Sequence, residues 1–383
     1  MSIAPYTIAI PQADLDDLKA RLVHVRWANE LPGVGAEYGV SLDSIKRLVK
    51  YWQEGYEWRM WEAKLNAYAQ FTTTIDGQNI HFLHVQSPED NALPLILTHG
   101  WPMSVADYLD LIGPLTNPRS HGGEAAQAFH LVIPSLPGFG FSGPTTERGW
   151  DRYRVARAWA ELMCRLGYDC YGAHGMDWGS IVSPEVGRFD HDHVVGVHVT
   201  EIFSAPSGDP TELEALSEVE KNHWQYFQWW IENKGAYNPL QSTLPQTLAH
   251  ALADSPVGQL AWNYQIYGDA VSFDYILTNV MIYWLTNTAA SSARFYYENA
   301  HAQHVPTGPT TVPLGLANFA DVHQAIRLFA ERDHKNIVSW NVYDRGNHFA
   351  TQTAPDLLIN DIRTFFGKLR PETPVNAEAG SRA

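Results

Sequence analysis

Cysteine is nearly absent: Cys164 and Cys170 are the two in 383 residues. They cannot build a disulfide framework and lack partners at zinc-site spacing, so they read as two buried thiols in a reducing compartment. Basic residues are scarce too, 26 Lys and Arg against 42 Asp and Glu, for a formal charge of −16. Nucleic acid and anionic membrane surfaces both call for clustered cations, so neither is expected as a partner. No apolar run approaches the roughly 18 residues of a spanning helix. The amino terminus MSIAPYTIAIPQADLDDL lacks the basic-then-apolar order of a secretory leader, and a cytoplasmic location is expected. Also missing is the serine elbow G-x-S-x-G, which counts against a serine hydrolase.

What is plentiful is aromatic: 14 Trp, 18 Tyr and 15 Phe, in a chain that is 45% hydrophobic. That composition supports a sizeable core. Residues 1–70 read as a helical meander, with Leu15, Leu18, Leu22 and Val25 at helical spacing. Ile45, Leu48, Val49 and Trp52 follow behind a Ser41 cap, and then Trp58, Trp61 and Leu65. Asp76-Gly77 joins two β-rich runs as a hairpin.

From there strands and helices alternate: LPLILTHG before a helix capped by Ser104 and Asp107, FHLVIPSLPG before a helix ending at Gly167, YDCYGAHGMDWGS, then VVGVHVTE. Such alternation predicts an α/β fold, a mostly parallel sheet with helices on both faces. Between 204 and 305 the strands stop in favour of helical, aromatic text, and residues 201–300 hold 17 of the aromatic side chains. These read mainly as packing of a helical lid. The core is therefore 71–203 plus 306–370, resuming with TTVPLGLANF, a helix over 322–331, the strand NIVSWNVY and a helix from Pro355 to Leu369. The tail 371–383 is expected to be disordered.

The sharpest local signal is Gly175-Met176-Asp177-Trp178-Gly179, a nucleophile elbow between strand and helix with Asp at its centre. A serine there needs a base to take its proton, whereas a carboxylate with an ordinary pKa of about 3.9 is already ionised. It suits attack on an sp³ carbon that carries a leaving group. The resulting alkyl ester then needs an activated water and an oxyanion hole. His99-Gly100-Trp101-Pro102 stands where one oxyanion N–H arises, and Trp178 supplies the other. His348, in Arg345-Gly346-Asn347-His348-Phe349, follows a strand, and Asp321 follows the strand before it. The order Asp177, Asp321, His348 is nucleophile, acid, base.

Two other patterns carry little. Gly138 to Gly143 matches GxGxxG, but Pro144 stands where a dinucleotide-binding helix must open. His191-Asp192-His193 reads as a polar turn and not as a metal site.

With these pieces in place the chain resembles the microsomal-type epoxide hydrolases of the α/β-hydrolase fold, from residue 5 to about 368. The matching segments are YEWRMWEAKLNAYAQF, THGWP, PSLPGFGFSG, GMDWGS, ADSPVGQLAW, SSARFYYEN and RGNHFA. The resemblance implies that Asp177 attacks an epoxide carbon while Tyr237, in KGAYNPLQ, and Tyr296, in ARFYYEN, hold the oxirane oxygen. It further implies that His348, oriented by Asp321, activates water, with Trp101 and Trp178 as the oxyanion hole and a vicinal diol as product. No metal or organic cofactor is implied. The partners expected are a small, neutral, hydrophobic epoxide and, at most, a second copy of the chain in a homodimer. Two departures stand out: Met176 replaces a Gly, and Asn318-Phe319-Ala320-Asp321 is one residue shorter than the family's acid-bearing pattern, which leaves Glu331 as the fallback acid. The rival readings are a haloalkane dehalogenase, which also uses an elbow Asp, and a catalytically silent ligand-binding protein of the same fold.

Overall fold

The structure is a computed structural model that describes residues 2–370; the tail expected to be disordered, 371–383, lies outside the described residues. After a short strand β1 (Ala4–Tyr6) come three helices, α1 (Gln12–Val23), α2 (Leu42–Glu54) and α3 (Trp58–Asn66). Leu15, Leu18 and Leu22 are buried in α1, whereas Val25 falls past its end. The Ser41 hydroxyl accepts the Ser44 N–H at 3.2 Å, capping α2, whose buried stripe is Ile45, Leu48, Val49 and Trp52. Strands β2 (Gln70–Ile75) and β3 (Gln78–Val85) pair antiparallel around Asp76-Gly77, with φ of 47° and 77° in the tight turn.

The alternating section follows as β4 (Leu93–Thr98), α4 (Leu109–Thr116), β5 (Phe129–Pro134), α5 (Arg152–Arg165), β6 (Tyr171–Gly175), α6 (Trp178–Phe189) and β7 (Val194–Val199). A helical insertion then contains α7 (Pro210–Glu214), α8 (Glu218–Lys234), α9 (Tyr237–Thr243), α10 (Pro245–Asp254), α11 (Pro256–Tyr267), α12 (Phe273–Leu285) and α13 (Ala289–Ala300). The chain closes with β8 (Leu314–Asn318), α14 (Arg327–Asp333), β9 (Ile337–Val342), α15 (Ala350–Thr353) and α16 (Pro355–Gly367).

Among the described residues the nine strands form one sheet in the order β1-β2-β3-β5-β4-β6-β7-β8-β9. The pairs from β5 to β9 are parallel, and those from β1 to β5 are antiparallel. Side chains alternate between two cores: Leu95 and Leu97 of β4 join Leu111 of α4 and Phe366 of α16, while Ile96 joins Trp159 of α5 and Val182 of α6. Among the described residues no helix is long and apolar enough to cross a membrane.

Two local expectations need correction. Cys164 is exposed and Cys170 half-buried, because the buried face of α5 runs through Val155, Trp159, Leu162 and Met163 and leaves position 164 outside. The helix expected over 322–331 starts only at Arg327. Side chains hold 319–326 as a loop: Asn318 Oδ1 accepts the Ala325 N–H at 2.9 Å, and the Gln324 amide donates to the Phe319 carbonyl at 2.7 Å.

Candidate active site

Four strand ends bring the chemistry together, as expected at the carboxyl edge of a parallel sheet. Between β6 and α6, Asp177 has φ 50° and ψ −119°, a conformation that a non-glycine residue keeps only when its surroundings enforce it. The turn is tight enough that a Cβ at Gly179 would collide with the Thr98 carbonyl, and one at Gly100 with the Asp177 carboxyl. Glycine at both positions lets the turn after β4 close over the elbow. The Trp101 N–H then donates to Asp177 Oδ1 at 2.8 Å.

His348, in the loop after β9, bridges two carboxylates. Its Nε2 stands 3.5 Å from Asp177 Oδ2, and its Nδ1 is 2.7 Å from Glu201 Oε1. Glu201 lies two residues beyond β7, is 2% exposed, and also accepts the Asp177 N–H at 3.1 Å. The carboxylate expected beside His348, Asp321, is not the one found there. The Asp321 N–H donates to the Gly346 carbonyl at 3.0 Å, and this pairing straps its backbone to the histidine loop while its side chain faces out at the cavity edge. The fallback, Glu331, pairs with Arg327 at 2.7 Å on the outer surface. Sequence reasoning missed Glu201, although its signal was visible: an acid ending the strand text VVGVHVTE, on the strand that neighbours β6.

The charges follow from this packing. Burial pushes the Asp177 carboxyl up to about 6, opposed by His348 and by the Trp101 and Trp178 N–H groups. Burial alone would lower His348, but the Glu201 carboxylate outweighs it, with help from Asp177, and the imidazole is raised to about 9. Glu201 is held below its ordinary value, since His348 overcomes the cost of burial. Asp177, Glu201 and His348 each offer an atom within 4.8 Å of the others, close enough for a metal ion. Both ring nitrogens of His348 already face carboxylates, however, so the three groups form a chain and do not converge on a common centre.

Tyr237, at the start of α9, stacks on Trp101 at 5.2 Å between centroids. Tyr296 on α13 meets Trp178 edge-on at 4.8 Å and Tyr237 at 6.0 Å. Tyr296 is 3% exposed, whereas its neighbour Tyr297 turns outward to stack on His301. Burial raises both site phenols, so they stay protonated. Behind them the insertion grips the turn after β4. Tyr267 donates to the Pro102 carbonyl at 2.6 Å, Tyr283 to the Met103 carbonyl at 2.7 Å, and Tyr275 to Asp107. In front of Asp177 lies a cavity of about 500 Å³, walled by Phe203, Phe227, Trp229, Trp230, Tyr237 and Ile266.

Residues 3–108 match the family described as epoxide hydrolase N terminus. A putative epoxide hydrolase of Stigmatella aurantiaca is 43% identical, over 96% of this chain and 86% of its own length. Epoxide hydrolase 1 of Sus scrofa is 30% identical, over 97% of this chain and 90% of its own. The solved epoxide hydrolase of Aspergillus niger superposes with a TM-score of 0.84 at 28% identity, covering 96% of this chain and 97% of that one. With relatedness of this depth running through the sheet, the insertion and the amino-terminal helices alike, the chain belongs to the epoxide hydrolases of the α/β-hydrolase fold and is an enzyme that hydrolyses epoxides.

Proposed function

We propose that the reaction runs through a covalent alkyl ester on Asp177, with His348 and Glu201 as base and orienting acid. The observation that carries this reading is the bridged histidine, 3.5 Å from the elbow carboxylate and 2.7 Å from a buried acid. Asp177 attacks an epoxide carbon, the carbon–oxygen bond of the ring breaks, and a phenol of Tyr237 or Tyr296 gives the alkoxide its proton. Alkylation turns Asp177 into a neutral ester and removes one of the charges that keep His348 protonated. The imidazolium gives its Nε2 proton to the phenolate left by ring opening, and the neutral Nε2 then takes a proton from water, which attacks the ester carbonyl. The Trp101 and Trp178 N–H groups hold the oxyanion. Collapse expels the diol oxygen, protonated from His348, and the remaining water proton, left on the Asp177 carboxyl, returns to His348.

The cavity wall fits a neutral, hydrophobic, aromatic epoxide. One turnover in ¹⁸O-labelled water tests the mechanism. Label is expected in Asp177, because water attacks the acyl carbon; label found only in the diol means that water opened the ring directly. His348→Gln should trap the ester, and an unmodified Asp177 in that variant would remove His348 from the second step.

A further inference from the structure

His323 has no part in this chemistry, yet its ring stands in the wall of the same cavity. It lies between Phe203, at 4.7 Å between centroids and 33° between planes, and Phe227 of α8, at 5.1 Å and 38°. It also faces the Ile202 backbone, so it touches both residues that follow Glu201. Its Nε2 is buried and has no hydrogen-bond partner among the described residues. Burial pushes this imidazole below its ordinary value, against the pull of the Glu201 carboxylate, and it is therefore a neutral ring.

A neutral ring with one nitrogen unpartnered is not there as a counter-ion. It is placed as a wedge. β7 ends at Val199, and the last backbone tie of this turn to the sheet is the Thr200 N–H to the Gly175 carbonyl at 3.3 Å. Glu201 thus lies beyond the ladder, although it must keep its carboxylate 2.7 Å from His348. We propose that His323 is a positioning residue for Glu201: its ring, held between Phe203 and Phe227, fixes the turn Glu201-Ile202-Phe203 so that the carboxylate stays on His348. The inference rests on the proposed pairing of Glu201 with His348 and extends it to α8, which supplies one side of the wedge.

The test compares His323→Ala, which removes the wedge, with His323→Phe, which keeps a flat ring and removes both nitrogens. The first measurement is the NMR titration of His348 in the ligand-free enzyme, its signal identified by its loss in His348→Gln. Because Glu201 holds the His348 proton, a loosened Glu201 lets it go earlier. His323→Ala should therefore move the midpoint down by about one pH unit or more, a tenfold change in proton affinity, and His323→Phe should restore it. The second is the fraction of alkyl-enzyme in steady state with styrene oxide, read by intact mass. It should rise in His323→Ala, with ester hydrolysis slowed about tenfold and alkylation within about twofold of the parent. An unmoved His348 titration in His323→Ala, or a Phe variant that behaves like Ala, overturns the proposal. Should His323→Ala fail to fold, His323→Leu takes its place, with volume but no flat face. Failure of the parent enzyme to form any ester would instead strike the covalent mechanism, and the titration would still decide the role of His323.

Discussion

Helices α8 and α12 both belong to the insertion, both are rich in aromatic residues, and they are packed in opposite ways. α12, FDYILTNVMIYWL, buries every residue from Tyr275 to Tyr283. α8, EVEKNHWQYFQWWIENK, buries none, and Tyr226 and Trp229 are 53% and 47% exposed. The cause lies in what surrounds the aromatics. In α12 apolar side chains run all the way round, so the helix can be engulfed. In α8 the charges crowd at the two ends, Glu218, Glu220 and Lys221 at the start and Glu232 and Lys234 at the close, and Trp224 is the main anchor, against Leu216, Ile326 and Phe329. α12, together with Tyr267 of α11, also holds the turn that presents the Trp101 N–H. The insertion is thus two things: a fixed part that holds the turn after β4, and a lightly held part that walls the cavity in front of Asp177.

The harshest way to break that contrast is to empty a site in the fixed part. Tyr283 is 1% exposed and donates to the Met103 carbonyl, so Tyr283→Ala should cost about 3–5 kcal/mol in a denaturant titration, with activity lost in proportion. A gentler cut is Tyr267→Phe, which keeps the ring and leaves the Pro102 carbonyl without its donor. The expected loss is about 1–3 kcal/mol of stability, with ester hydrolysis slowed more than alkylation because the oxyanion turn is loosened. Equal slowing of the two steps would mean that Tyr267 supports the fold at large and not that turn.

The same division governs how much could be read in the sequence. Asp177 and His348 were legible because each lies in a short motif whose geometry is local: an elbow closed by glycine, and a loop directly after a strand. The carboxylate beside His348 was not, because Glu201 and Asp321 each follow a strand, β7 and β8, and those strands are neighbours in the sheet. Either edge can present a carboxylate to the histidine loop, and the order nucleophile, acid, base holds for both. What decides is a backbone pairing 25 residues downstream, Asp321 N–H to the Gly346 carbonyl, which turns one acid away. The aromatic excess was legible as composition, but not its split between a buried helix and an exposed one, which depends on where each helix is seated in the fold.

Burial also sets the pH at which the proposed nucleophile works. Asp177 is raised to about 6 chiefly by burial, so it is increasingly protonated as pH falls below that value. Single-turnover alkylation should accordingly fall about tenfold per pH unit, or about 1.4 kcal/mol, below that midpoint. Variants that open the fixed part to water should move the midpoint down toward the ordinary carboxylate range, whereas variants at Tyr226 and Trp229 of α8 should leave it in place. A midpoint that follows α8 would show that the exposed helix, and not the buried one, keeps water from the carboxylate.

The finest probe is Trp229→Ala, because it asks whether α8 contributes to binding without contributing to the fold. Trp229 is half-exposed, stacks on Tyr226 at 5.8 Å and lines the cavity. Removing a side chain that water already reaches should change stability by no more than about 0.5 kcal/mol. Its wall area touches the remote part of a bulky epoxide equally before and during ring opening, so its loss is uniform in ground and transition states. KM for an aromatic epoxide should rise roughly fivefold, about 1 kcal/mol, with kcat unchanged, and a small aliphatic epoxide should show no change. A stability loss of several kcal/mol in this variant would place α8 with α12 and erase the contrast. A fall in kcat with KM constant would mean instead that the outer helix helps to organise the reacting groups, the role that the wedge at His323 assigns to Phe227 rather than to Trp229.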